Sequence, residues 1–367
     1  MFRTHSDGIT FPLRSEMGPT FKTIAQSIFT PVSFASLVTG LNPPRHGVKD
    51  FDDTLPEEYP TIFDLDLHTS YLDHPDDPMY RVLNGPDRIS LDNLSEPFLY
   101  LERSLATHHP YDPAFNGNAD EYLRKMRGKK GELKEDYSKA VDMAKEEFLD
   151  RIEVLKNRDI LNDTLVIFTS DHGDILGEYG PMFHTFPVCP ENVYVPTVFV
   201  SPKPLGSEGK GVIRQVDILP TVLDLLDLDS EWPTEGINVF QNRRELVGFN
   251  YYQRAAHGSI ESVSVWDREG GYVEQRGSHW DLVKTAVLDM ITYTHSLDPL
   301  RYAKSEIHYG EGMENAEQVV RYFENQPSYG YKEDPSASPS LEGSRKMKEQ
   351  LSIGSKIRDL KERGKIE

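Results

Sequence analysis

The run TLVIFTS at 164–170 constrains this chain more than any other feature. It is short, nearly all apolar, and followed at once by the polar string DHGD. A strand with one wet face would alternate apolar and polar residues, so this one is expected to be covered on both faces. Such a strand needs helices on either side of its sheet. The rest of the chain supplies that alternation. EPFLYLERS (Glu96–Ser104) and VPTVFVS (Val195–Ser201) read as further strands. The span Glu135–Arg158 reads as the clearest helix, because Val141, Ala144, Phe148, Ile152 and Leu155 step by three or four into one stripe. SFASLVTG reads as a helix with Ser33 as N-cap and Gly40 as its stop. VDILPTVLDLLDL (Val216–Leu228) reads as another, with Pro220 near its first turn, and TFKTIAQSI (Thr20–Ile28) as a short helix or the end of one. After Leu246 the pattern weakens into β-like runs, LVGFNYY and ESVSVW. From about Glu306 the chain turns polar, with a Pro/Ser-rich loop at Pro335–Ser340 and a charged, helix-like tail from Ser344. The expected organisation is an α/β core over residues 1–245, a smaller β-rich part over 246–306, and a polar, partly helical tail over 307–367.

Charge narrows the function. Among 367 residues, 60 are acidic and 40 basic, a formal net charge of −20. A nucleic-acid binder would carry a basic face, and adhesion to anionic lipid needs basic clusters, so both are disfavoured. The acidity suits solubility and fits a halophilic, high-salt cytoplasm. The one cysteine, Cys189, forms no intrachain disulfide and reads as a small core or loop residue. No apolar run approaches the ~18 residues that span a bilayer. The start, MFRTHSDGITFPLRSEMG, lacks the basic-then-apolar pattern of a secretion signal, so a cytoplasmic protein is expected. Oligomeric state leaves no mark.

Two stretches carry chemistry. At the end of the 164–170 strand stand Asp171 and His172, and in open α/β sheets ligands collect at the carboxyl ends of strands. A carboxylate and an imidazole there can share a divalent cation, although a bare Asp-His pair is also what a capped turn offers. In TPVSFASLVTGLNPPRHGVKDF (Thr30–Phe51), the Thr30 hydroxyl stands just before a helix start, where free N–H groups favour an anionic tetrahedral group. A threonine hydroxyl is a poor nucleophile until a metal or base activates it, and taken alone Thr30 is an ordinary cap.

Together these stretches resemble the sulfatase branch of the alkaline-phosphatase superfamily. Thr30, Ser33, the Leu37–Gly40 helix end and the Arg45-His46-Gly47-Val48 turn follow the order of its nucleophile signature. PFLYLERSLATHHPYDP (Pro97–Pro113) is similar to the strand that ends in a catalytic His-x-Pro-Tyr, which implies that role for His108, with His109 able to exchange with it. The SDHG block implies Asp171 and His172 as metal ligands. MFHTFPVCPENVYVPTVFVSP (Met182–Pro202) implies His184 as a contact to the transferring group, and VDILPTVLDLLDL matches an Asp-x-x-Pro-Thr helix. The resemblance covers roughly residues 19–230 and implies an alkaline-phosphatase-like central mixed sheet flanked by helices. It further implies a metal-dependent hydrolase of small sulfate or phosphate esters that works through a covalent intermediate on Thr30, with Ca²⁺, Mg²⁺, Mn²⁺ or Zn²⁺ as cofactor.

Three departures qualify the resemblance. Thr30 cannot become the formylglycine of sulfatases, because its β-carbon carries a methyl group; threonine relatives in the superfamily act mainly on phosphate and phosphonate esters. Phe34 stands where the signature has Arg and Val32 where it has Pro, which leaves Arg45 either as a substitute cation or as a solvated loop charge. The family opens on an apolar strand ending in metal-binding Asp, whereas here 29 residues precede Thr30 and Asp7 sits in a turn-like SDG. A late start site or a truncated gene is the expected reason, and a catalytically impaired relative that binds an anionic ligand or partner is the alternative function. His46 reads as a turn residue at the rim, Asp174 as a supporting or solvated acid, and PDDP (Pro75–Pro78) as loop rather than metal cage. Substrate choice is expected from loops around Asp64–Pro86 and after Gly248.

Overall fold

The segment expected to be helical at Thr20–Ile28 begins with a strand, Thr20–Ile24. Thr20, Thr23 and Ile24 are β-branched and lose side-chain freedom in a helix, and the segment finds a partner on each side in a sheet. The computed structural model describes residues 18–325 apart from 75–76, 204, 206–211, 229–231, 242–245, 255–259, 285–286, 288–303, 312 and 314. Asp7, the Pro335–Ser340 loop and the tail from Ser344 lie outside the described residues.

The elements run β1 (Thr20–Ile24), α1 (Thr30–Thr39), α2 (Pro43–His46), β2 (His68–Leu72), α3 (Met79–Val82), β3 (Phe98–Glu102), α4 (Ala119–Met126) and α5 (Lys130–Asn157). They continue with β4 (Val166–Phe168), β5 (Ile175–Leu176), β6 (Met182–Phe183), α6 (Pro190–Val193), β7 (Tyr194–Val200), β8 (Val212–Arg214) and α7 (Ile218–Leu225). The last are β9 (Gly248–Arg254), β10 (Ile260–Trp266), β11 (Gly271–Arg276), β12 (Glu306–Tyr309) and α8 (Ala316–Glu324).

The architecture is α/β around a mixed sheet in the order β4-β7-β1-β8. Strand β7 is antiparallel to both β4 and β1, and β1 is parallel to β8. Consequently β1, β4 and β8 all point the same way and end at one edge of the sheet. Strand β7 is apolar and buried almost throughout, as a central strand covered on both faces should be. Strand β4 is only half-buried, so the expectation of complete cover for the 164–170 run is not met there. The parallel pair β2–β3 forms a separate two-stranded sheet. Helix α5 joins the two regions: Arg151 makes a two-pronged ion pair with Glu102 at the end of β3, and Phe148 packs edge-on against Phe168 of β4.

A second, antiparallel sheet, β12-β11-β10-β9, lies beside the first and runs across residue 306. The core between them joins Ile24, Tyr194 and Val212 to Tyr252, Trp266 and Val273. Burying side chains of this size contributes roughly 1.5–3 kcal/mol each. Hydrogen bonds lock the same boundary: Asn250 donates to the Ala25 carbonyl at 2.8 Å, Tyr251 N–H to Gln26 O at 2.9 Å, and Ser27 Oγ to Tyr251 O at 2.6 Å. The second sheet thus fixes the turn that leads into Thr30. Among the described residues no helix is long and apolar enough to cross a membrane.

Candidate active site

Helix α1 begins at Thr30 itself, with Pro31 in its first turn, so Ser33 is not the N-cap. Ser33 is buried within the helix and donates to the Ser27 carbonyl at 2.9 Å, tying the helix back to its entry loop. At the other end Gly40 adopts φ +69° and its N–H returns to Ser36 O, the left-handed stop that glycine makes cheaply.

The common direction of β1, β4 and β8 brings three loops together. After β1 come Gln26 and Thr30, after β4 come Asp171 and His172, and directly after β8 comes the fully buried Gln215. The Gln215 amide donates to the carbonyls of Ser170 at 2.7 Å and Asp171 at 2.6 Å, while its oxygen accepts from Gln26 N–H at 3.0 Å. One side chain therefore satisfies three backbone groups from two loops, each of which would cost about 1–3 kcal/mol if left unpaired in the interior.

The Thr30 hydroxyl donates to Asp171 Oδ2 at 2.8 Å and lies 3.3 Å from His172 Nε2, which is itself 3.5 Å from Asp171 Oδ2. The other Asp171 oxygen, Oδ1, accepts from His172 N–H at 3.0 Å. The His172 ring nitrogen Nδ1 is 2.9 Å from Gly173 O, which can only accept, so Nδ1 carries the proton and the Nε2 lone pair faces Thr30. Thr30 Oγ1, Asp171 Oδ2 and His172 Nε2 thus lie 2.8 to 3.5 Å from one another, close enough for the three to share one divalent cation. Burial pushes the Asp171 carboxyl up, but His172, Arg103 and the Thr30 hydroxyl outweigh it and hold it well below the usual carboxylate range. Burial, partly offset by Asp171, lowers His172 to about 4.

A second group faces this corner. The His172 and His184 ring centroids are 4.8 Å apart, His108 and His184 5.9 Å, and His108 stacks on His109 at 4.4 Å. His184 Nδ1 lies 3.1 Å from Asp174 Oδ1, and the Tyr111 hydroxyl donates to Asp174 Oδ2 at 2.6 Å. Asp174, expected as a supporting or solvated acid, is fully buried. Burial pushes its carboxyl up, but His184 and the neighbouring histidines win and lower it. Burial and the His184 charge lower His108, while burial with His108 and His184 takes His109 to about 3. Among the described residues, His109, Asp174 and His184 also bring one possible ligand atom each within 4.8 Å of one another.

Thr30, Asp171, His172, His184 and His108 are thus gathered at one edge of the fold. Arg45 is buried and faces Glu235 at 3.8 Å, so it is not a solvated loop charge. His46 is buried between α1 and the turn at Val48. Cys189 is buried, as a small core residue should be. Gln215, Tyr111 and Arg103 carry no chemical motif of their own in the sequence. Gln215 directly precedes the helix block and Tyr111 falls inside the His-x-Pro-Tyr string, so position was their only available signal.

A model of the sulfatase family matches residues 76–228. The low-salt glycan biosynthesis sulfotransferase Agl7 of Haloferax volcanii is 31% identical over 299 residues, covering 74% of this chain and 72% of that protein. Among solved structures, a 2-O GAG sulfatase aligns with 97% of this chain and 89% of its own at a TM-score of 0.57 and 14% identity. A phosphonate monoester hydrolase of Agrobacterium radiobacter aligns with 71% and 82% at a TM-score of 0.51 and 14% identity. The two structures show a shared fold.

Proposed function

The chain belongs to the sulfatase family, and from that membership we propose that it cleaves sulfate or phosphate esters by transfer through Thr30. The observation that carries this reading is the Thr30 hydroxyl, 2.8 Å from Asp171 and 3.3 Å from His172, with a histidine group opposite. Asp171, His172 and Thr30 would hold a divalent cation, with Ca²⁺, Mg²⁺, Mn²⁺ and Zn²⁺ as candidates. Such an ion, when bound, lowers the pKa of a hydroxyl and spreads the charge of the transferring group.

In the first half-reaction Thr30 Oγ1, held by its hydrogen bond to Asp171, loses its proton to solvent water and bonds to sulfur or phosphorus. The bond to the ester oxygen breaks, and His108 or His184 protonates that oxygen. In the second half, water attacks sulfur or phosphorus, gives a proton to the same imidazole, and Thr30 Oγ1 leaves as an alkoxide that takes a proton back from solvent water. Asp174 holds the His184 ring in place through Nδ1, and Tyr111 holds Asp174.

Hydrolysis of 4-nitrophenyl sulfate and 4-nitrophenyl phosphate, with each cation in turn, tests the reading. Thr30→Ala should lose at least a thousandfold in kcat and Thr30→Ser should keep measurable turnover. Equal rates for wild type and Thr30→Ala would remove Thr30 as nucleophile; binding without turnover would favour the impaired, ligand-binding relative. The similarity to a glycan biosynthesis sulfotransferase supports a second reading, in which a sugar hydroxyl takes the place of water. Mass spectrometry of sugar acceptors incubated with 4-nitrophenyl sulfate decides between them: a sulfated sugar supports transfer, free sulfate alone supports hydrolysis.

A further inference from the structure

An anionic ester next to Thr30 needs a positive charge, and helix α1 carries none: the residue one turn on from Thr30, on the same helix face, is Phe34. The charge over that face comes from elsewhere in the chain. The Arg103 guanidinium, just past the end of β3, lies 5.9 Å from the centroid of the Phe34 ring. Its side chain is 9% exposed, and its backbone N–H is pinned to Leu72 O at 2.9 Å. Among the described residues it spends one side-chain N–H bond, on the 7%-exposed Asp77, which leaves further donors of the planar fork for a ligand.

We propose that Arg103, seated on Phe34 and steadied by Asp77, binds the non-bridging oxygens of the sulfuryl or phosphoryl group presented to Thr30. This rests on the ester-transfer reading above. A cation there stands over the same helix face as the nucleophile, and a guanidinium fork matches the spacing of two oxygens on a tetrahedral anion. The electrostatics agree with this placement: the Arg103 charge helps to lower both Asp171, beside Thr30, and His108, in the facing group, so it is felt on both sides of the site. Asp77 acquires a use that its PDDP string does not suggest. It orients the fork and tempers its charge, so that product sulfate or phosphate is held without being trapped.

Calorimetric titration of the full chain with inorganic sulfate and inorganic phosphate, at fixed ionic strength with Mg²⁺, tests the assignment without needing turnover. Arg103→Met should weaken Kd by roughly tenfold to a hundredfold, the range of a charge-assisted hydrogen bond. Arg103→Lys should recover part of that loss, and Asp77→Asn, which frees the guanidinium, should tighten Kd severalfold. Because Arg103→Met also strands the Asp77 carboxylate, the double variant Asp77→Asn/Arg103→Met serves as the folded control and should bind as weakly as Arg103→Met. A purely structural ion pair would move Tm but leave Kd within twofold of wild type in all four variants, and that result overturns the assignment alone. Failure of the wild type to bind either anion would overturn the ester-transfer reading and this assignment with it.

Discussion

The two halves of the site are built differently. The Thr30 corner is set by backbone: three parallel strand ends, one glutamine bridging their loops, and a second sheet bonded to residues 25–27. The histidine side is set by side chains: stacked rings and one buried carboxylate that takes a tyrosine hydroxyl and an imidazole. A backbone-set corner keeps its donor spacing whatever the protonation of its surroundings. A ring cluster can shift by a rotamer, which suits groups that must follow a proton between reactant and product.

The largest effect should come from breaking the rigid half. His172→Ala removes the lone pair opposite Thr30, and kcat on either nitrophenyl ester should fall by at least a thousandfold. Tight-binding divalent metal, measured by elemental analysis after dialysis, should fall with it. Retained metal at wild-type stoichiometry would shift the cation to the His109, Asp174 and His184 group instead. Next comes Gln215→Leu, which leaves two buried carbonyls and one N–H without their partner. A loss of about 3 kcal/mol or more in urea unfolding is expected, with activity falling more than stability alone predicts.

The half set by side chains should break more gently. Asp174→Asn keeps an acceptor for the His184 ring but removes the negative charge beside it. A loss of tenfold to a hundredfold in kcat with little change in KM is expected, since the substrate does not touch Asp174 in this reading. An unchanged kcat would assign the carboxylate to packing alone.

The same contrast explains what the sequence disclosed. Residues anchored to strand ends, Asp171 and His172, could be placed because a short apolar run followed by polar residues marks a strand terminus. Strands β3, β4 and β7 and helix α5 were legible for the same reason of pattern. Thr20–Ile24 reads as helix in the sequence because five residues carry too little periodicity to separate strand from helix until flanking strands decide it. Ser33 reads as a cap because Ser precedes an apolar run there, yet the helix starts at Thr30, a turn earlier. Arg103 carries no local signal, and Gln215 carries only its position before the helix block. Their roles depend on which loops meet after long-range pairing, and that information is spread over strands far apart in the chain.

The smallest effect concerns His46, outside both halves but beneath α1. Its Nδ1 accepts from Val48 N–H at 3.1 Å, so Nε2 carries the proton and donates to Ser36 Oγ at 3.0 Å. The bond from Val48 needs the lone pair of the neutral ring, and burial lowers its pKa to about 3 from the ordinary value of 6.5. Above pH 6.5 the ring is neutral whether the chain is folded or not, so His46 adds no pH dependence. Between 6.5 and about 3 the unfolded chain takes up a proton that the folded chain refuses, so stability falls as pH falls, by about 1.4 kcal/mol per pH unit well inside that window. His109, also taken to about 3, adds to the slope with the same sign. The specific test is therefore a difference. His46→Asn keeps an acceptor near the Val48 N–H, so its stability at neutral pH should drop by about 1 kcal/mol while its loss on going from pH 6.5 to pH 5 should be smaller than wild type's by about 2 kcal/mol. Urea unfolding at the two pH values measures both numbers, and parallel losses in the two proteins would mean that the ring titrates freely in the folded state.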